Sequence, residues 1–256
     1  MKNIGRYFVN IIRKNFGILI GLFLLSLALS VSTDSFATIT NMTNIIRQVT
    51  INLFLSCGMT FVLLLGGIDL SVGSIIAISG CISAGLIVYN ELSVGLAIVI
   101  GVLAGTLFGA INGLIVSATT IPPFIITLSM MNIGRGIVRL YTDAKSIPVL
   151  NESYTFLGTG RIMGLPIQLY FIVIVIIITS FILNRTQFGR HMYATGGNRI
   201  AAEYSGIKVK RVEFTAYVIS GFLAAIAGIL TIGRTFTATM IMGQGAEMDA
   251  ISACVL

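Results

Sequence analysis

Charge is what this sequence has least of. Only 10% of its 256 residues are Asp, Glu, Lys or Arg, against about 25% in soluble domains. With 56% hydrophobic residues, the chain cannot hide its apolar surface in one water-soluble core, which leaves a membrane as its environment. Histidine is represented by His191 alone, and no HxxxH, HExxH or Cys/His cluster occurs; that excludes a zinc centre of the usual spacing, and no metal or other cofactor is expected. The three cysteines, Cys57, Cys81 and Cys254, are odd in number, lack CxxC spacing and stand in or beside apolar runs. They read as small packing residues. No GxxxxGK[ST] run and no Ser/His/Asp set is present, so neither nucleotide chemistry nor hydrolysis is carried by this chain.

What charge there is lies in two basic clusters. Lys2, Arg6, Arg13 and Lys14 open the chain, and Arg185, Arg190, Arg199, Lys208, Lys210 and Arg211 fall in the polar stretch 185–211. A net charge of +7 spread over one solvated face would suggest nucleic acid. Here the cations stand between apolar runs instead, where the positive-inside rule expects them, and no nucleic acid is expected.

Charge-free intervals run 15–33, 48–68, 70–90, 92–134, 162–184 and 214–233. Five of them have the length of one span, about 20 residues. The interval of 43 residues would be about 65 Å long as one helix, twice the hydrocarbon thickness, so it must turn. It breaks at Thr119–Pro123, where Pro122 and Pro123 remove donors and push the preceding residue out of helix. The expected fold is an all-α polytopic bundle with about seven complete spans and the start of another, one transmembrane domain over 1–256. Six crossings from a cytoplasmic N-terminus return the chain to the inside at the second basic cluster. Asp34–Arg47 and Asp143–Arg161 then fall outside, and Arg135 and Arg139 end the fifth span with stems long enough to snorkel. The run after Lys14 is too long for a signal peptide and is kept as a helix.

Three further stretches stand out. Gly101, Gly105, Gly109 and Gly113 form a small-residue stripe, read as a packing seam ahead of a groove for lipid or substrate. Gly66–Ser74, GGIDLSVGS, places Asp69 between two apolar runs. It reads as a cytoplasmic turn in which Asp69 caps Ser71 and Val72, or as a broken element lining a path. In the basic stretch, Gly196–Gly197–Asn198 is a turn signal, Asn198 a cap, and Arg199–Ser205 a helix of two turns closed by Gly206. Ala201, Ala202 and Ser205 give it a small-residue face, suited to another protein's groove or to lying on the chain's own bundle. After Arg234 the chain passes Glu247 and Asp249 and stops in AISACVL, too short to span, so a longer hydrophobic continuation is expected.

Four segments in order, FVLLLGGIDLSVGSIIAISG (61–80), INGLIVSATTIPPFIITLSMMNIGRGI (111–137), FGRHMYATGGNRIAAEYSGIKVKRVEFTAYVISG (188–221) and GAEMDAISACVL (245–256), resemble the permease of ribose-type sugar ABC importers. The resemblance covers most of the chain after residue 50. It implies a bacterial inner-membrane permease, about ten spans with six before the coupling loop, and three partners: a second permease copy, a cytoplasmic ATPase and an extracytoplasmic sugar-binding protein. It also implies that Gly197, Asn198, Ala201, Ala202, Ser205 and Gly206 form the coupling helix. At Tyr141–Lys145, YTDAK, the chain departs from the glycine-rich turn usual in that family.

The expected function is therefore half of a translocation path for a simple sugar, set in membrane lipid and driven by a partner's ATP hydrolysis. Asp69, Ser71, Asn112, Thr127 and Asn132 are the candidate path residues, because an uncharged, hydroxyl-rich solute needs hydrogen bonds and no buried ion pair. An ion-coupled secondary transporter would call for intramembrane Asp, Glu or His, of which Asp69 at an interface is the one instance. A non-transporting structural subunit is the remaining alternative.

Overall fold

A computed structural model of the chain describes residues 16–255. Lys2, Arg6, Arg13 and Lys14, on which the cytoplasmic N-terminus was argued, lie outside the described residues. Two compact units divide the chain, 1–46 and 47–256. In the first, α1 (Phe16–Ser32) is apolar on every side and has no buried residue. That pattern suits a helix surrounded by hydrocarbon.

The second unit begins within α2 (Ile39–Leu64) and is built around α3 (Val72–Val88). Thirteen of the residues of α3 are buried, which is why its sequence shows no polar face. Packed on it are α4 (Val94–Ala118), α5 (Pro123–Thr142) and α10 (Val209–Thr235). Between α5 and α10 come β1 (Ile147–Pro148), α6 (Glu152–Thr159), the β2–β3 hairpin (Arg161–Ile162, Leu165–Pro166), α7 (Ile167–Arg185), α8 (Gln187–Gly197) and α9 (Arg199–Tyr204). β4 (Thr237–Ala238) and α11 (Ala246–Val255) follow.

Seven helices thus fall on the six charge-free intervals, two of them, α4 and α5, on 92–134. Four of them, α2, α4, α7 and α10, are long and apolar enough to cross a membrane; α1 and α3 are shorter apolar helices. The two-proline break is where the sequence places it, since α4 ends at Ala118 and α5 starts with Pro123 in its first turn. There the missing N–H costs nothing. Two boundaries move. α2 starts at Ile39, so much of the expected outer connection 34–47 is helix. Arg47 is tolerated inside it because its Nη2 donates to Thr159 O at 2.8 Å. α5 runs on through Arg135 and Arg139 to Thr142.

The glycine stripe is a seam. A Cβ on Gly101, Gly105, Gly109 or Gly113 would lie 2.6–2.7 Å from Ser79 O, Ala225 Cβ, Gly221 Cα and Phe214 O respectively. Three of these four neighbours are on α10, so α4 and α10 meet almost backbone to backbone.

Contacts sort the ends of the second unit. At one end Leu64 O closes on Gly196, and Val62, Val116, Ile126 and Tyr217 cluster. At the other, β1 pairs antiparallel with β4, and Tyr154 of α6, fully buried, accepts from Ser83 Oγ at 3.1 Å. Burial pushes the Tyr154 phenol up, so it stays a neutral hydrogen-bonding group. β1, α6 and β4 therefore lie at the same end of this unit.

Candidate functional site

Leu65–Ser71, the non-helical link between α2 and α3, turns inward after the exposed Gly66, so that Asp69, Leu70 and Ser71 are buried. Asp69 is fully buried. Its Oδ1 accepts from Ser71 N at 3.0 Å and Ser71 Oγ at 2.6 Å, and its Oδ2 accepts from Ser220 Oγ of α10 at 2.9 Å. Asn112 Nδ2 of α4 donates to Ser71 Oγ at 2.7 Å, and Thr127 Oγ1 of α5 donates to Ile68 O at 3.0 Å. Four of the five candidate path residues, Asp69, Ser71, Asn112 and Thr127, are thus brought together. All four have no solvent exposure. The capping expected of Asp69 is half met: it holds the N–H of Ser71, and the described hydrogen bonds give it none from Val72.

A second irregular segment, Thr239–Gly245, turns back from the β4 end to the start of α3. Gly73 and Gly243 meet there so closely that a Cβ on Gly73 would collide with Gly243 O, and one on Gly243 would lie 2.7 Å from Gly73 O. Gly243 also has φ +66, which only glycine adopts readily. Arg135 Nη1 of α5 fastens this segment, donating to Met240 O at 2.9 Å and Met242 O at 2.6 Å. That explains an arginine within an apolar helix: its charge is spent on two backbone carbonyls.

Between α5 and this segment opens a pocket of 450 Å³ whose polar lining is Asn132, Arg135, Arg139, Gln244 and Glu247. The fifth candidate path residue, Asn132, is here, exposed, its Nδ2 donating to Leu128 O at 3.1 Å. The sequence reading placed the two arginines at the end of the fifth span and made neither them nor Gln244 and Glu247 site candidates. Their signal was present in the spacing of Asn132, Arg135, Gly136 and Arg139, which at i, i+3, i+4 and i+7 share one face of α5.

At the other end, Thr186 Oγ1 accepts from Gly189 N at 3.2 Å and starts α8, a helix the sequence reading left as loop. Gly196 and Gly197 are its last residues rather than a turn, and Phe188, Met192 and Thr195 give it an inward face. Asn198 caps α9 as expected, its Oδ1 accepting from Ala201 N at 3.0 Å. Gly206 closes the helix with φ +82. Arg199 Nη2 reaches Glu213 Oε2 at 3.1 Å and ties α9 to α10.

The small-residue face is divided by this packing. Ala202 is buried against the chain's own bundle, whereas Gly197, Ala201 and Ser205 are exposed. Beside them stand Ile200 and Tyr204, 67% and 89% exposed. An apolar knob flanked by small residues is a surface fit for a complementary pocket.

Residues 41–256 match the family model described as branched-chain amino acid transport system / permease component. Among curated proteins, the ribose import permease protein RbsC of Bacillus subtilis is 42% identical over 247 residues, 96% of this chain and 76% of that protein. RbsC of Haemophilus influenzae is 38% identical over 257 residues, 99% and 78%. The L-arabinose transport system permease protein AraH of Escherichia coli is 36% identical over 241 residues, 94% and 73%. No solved structure matches the chain.

Proposed function

The chain belongs to this permease family, the membrane component of ABC importers, and on that premise we propose that it forms half of the translocation path for a monosaccharide. Relatives named for ribose and L-arabinose support the sugar class. A second copy or a homologue supplies the other half, a binding protein delivers the sugar, and a cytoplasmic ATPase supplies the energy. The seven helices on the charge-free intervals, α1 to α5, α7 and α10, are seven crossings, with α8 and α9 in the cytoplasm.

The observation that carries the coupling reading is α9. It is capped at both ends, pinned by Arg199–Glu213 and still presents Ile200, Ala201, Tyr204 and Ser205 outward. A helix this short is marginal alone; here it is held rigid before any partner arrives, so motion at its tip passes to α10 through Arg199 and to α2 through Gly196.

The path itself is best supplied by the pocket at Asn132. Its fork of arginine N–H groups, two amides and one carboxylate can hydrogen-bond sugar hydroxyls as donors and acceptors. The buried Asp69 group then serves as the fulcrum, joining the α2–α3 link to α4 and α10.

The test is sugar uptake into cells or proteoliposomes holding the permease with its ATPase and binding protein. Ile200→Glu with Tyr204→Glu should abolish ATPase co-purification and uptake while the permease stays folded. Undiminished ATPase association in that variant would remove α9 from the mechanism; uptake driven by a proton gradient without ATP would remove the ABC reading.

A further inference from the structure

One face of α10 is continuous through a change of chemistry. Lys208, just before the helix, and Arg211 and Thr215 on it line a pocket of 310 Å³ together with His191 and Phe188 of α8. One turn further along, Ile219, Phe222 and Ile226 line a groove of 360 Å³ whose other wall is α7, from Phe171 to Ile182, with Phe54 and Phe61 of α2 at its floor. Residues 211, 215, 219, 222 and 226 follow one another at steps of four and three, the spacing of a single helix stripe. The joint between the two cavities is a pair of stacked rings: Phe61 of the groove and Phe188 of the basic pocket have centroids 6.4 Å apart.

The groove is almost wholly hydrocarbon in its lining; among the described residues Thr179 is the one polar side chain on its walls. Along α7 it extends from Phe171 to Ile182, about 16 Å at 1.5 Å per residue. That is the depth of one leaflet, roughly half of a 30 Å hydrocarbon core. Its end lies one turn before the end of α7, and on α10 its last lining residue, Ile219, stands about two turns from Arg211 and three from Lys208, with Thr215 between. Among the described residues neither of these cations has an acidic partner; the ion pair at this end joins Arg199 to Glu213.

The geometry points to a built site for one anionic diacyl phospholipid, with an acyl chain along the α7–α10 groove and the phosphate group in the pocket of Lys208, Arg211 and His191. Charge selects the occupant: a zwitterionic lipid gains the same apolar contact and loses the net attraction to two cations. The seam between the cavities fits the glycerol region, where a lipid changes from apolar to polar. Neither the side of the membrane nor the docking of an ATPase enters this argument, so the site stands or falls independently of the transport reading.

Native mass spectrometry of the full chain in a neutral detergent tests it, with phosphatidylglycerol and phosphatidylcholine of identical acyl chains as probes. The wild-type protein should retain one phosphatidylglycerol in preference to phosphatidylcholine, by roughly thirty-fold if each cation contributes as it does near a membrane surface. Lys208→Ser with Arg211→Ser should erase the preference, Lys208→Arg with Arg211→Lys should keep it, and Ile178→Trp, at an exposed groove position, should lower retention of phosphatidylglycerol. Equal retention of the two lipids by the wild type overturns the proposal. So does displacement of phosphatidylglycerol by millimolar inorganic phosphate, which would assign the pocket to a free anion, or an unchanged preference in the folded double serine variant.

Discussion

Gly109 of α4 and Gly221 of α10 face each other with no side chain between: a Cβ added to either would lie 2.7 Å from the Cα of the other. Neither neighbour is a flexible side-chain end, so the backbone itself must yield. Gly109→Leu or Gly221→Leu should therefore separate α4 from α10 and cost more than the usual 1–3 kcal/mol, roughly, of an overpacked core. Gly95→Leu, at a position with nothing within 4 Å of an added Cβ, is the control. The yield and melting temperature of the detergent-purified protein measure the contrast, and equal values for Gly95→Leu and Gly109→Leu would show that the seam is looser than these distances require.

Asp69 joins the α2–α3 link to α10 through its two oxygens, and α4 is added through Ser71 Oγ and Asn112. Asp69→Ala leaves the Ser71 and Ser220 hydroxyls and one N–H buried without their acceptor, at roughly 1–3 kcal/mol for each group left unpaired. Asp69→Asn keeps one acceptor oxygen and should lose less, and Ser220→Ala, which removes one bond from Oδ2, least of all. The melting temperatures should rank in the order Ser220→Ala, Asp69→Asn, Asp69→Ala from high to low. An alanine variant as stable as the asparagine one would remove Asp69 from the framework.

The departure at Tyr141–Lys145 leaves a mark. Where α5 ends, Asp143 and Ala144 have φ of 51° and 55°, left-handed values that a Cβ disfavours by about 1–2 kcal/mol. Both are exposed. Ala144→Gly should relieve part of that cost and raise stability by about 0.5–1 kcal/mol, visible as a higher melting temperature with unchanged uptake. A lower melting temperature would show that the entropy lost by glycine outweighs the strain.

How far the sequence could be read depended on what sets each feature. The helices of the bundle follow from charge-free length, and the break at Pro122–Pro123 from covalent geometry; both are local. Asn198 and Gly206 could be placed because capping and a left-handed closure need particular residue types. Ala202 could not be assigned to the inner face of α9, because the face of a six-residue helix is chosen by what it packs on. α8 was missed for the same reason: its apolar residues become an inward face only against Phe61 and Val212, far away in sequence. The pairing of Asp69 with Ser220, and of Gly73 with Gly243, is likewise set by tertiary contact.

Burial divides the five candidate path residues, and that division is open to a chemical test. Ser71 and Asn112 have no solvent exposure, whereas Asn132 is exposed on the pocket that Gln244 also lines. In a background with Cys57, Cys81 and Cys254 replaced by Ala, Asn132→Cys and Gln244→Cys should react with a membrane-impermeant maleimide when the reagent reaches the β1–β4 face. Ser71→Cys should not, since the reagent cannot enter a site closed by α3, α4 and α10. A saturating concentration of the transported sugar, delivered by its binding protein, should slow labelling at 132 and 244 if that pocket is the path. Labelling of Ser71→Cys at the rate of Asn132→Cys would mean that the Leu65–Ser71 link itself opens to water, and would move the path from the α5 pocket to the broken segment before α3.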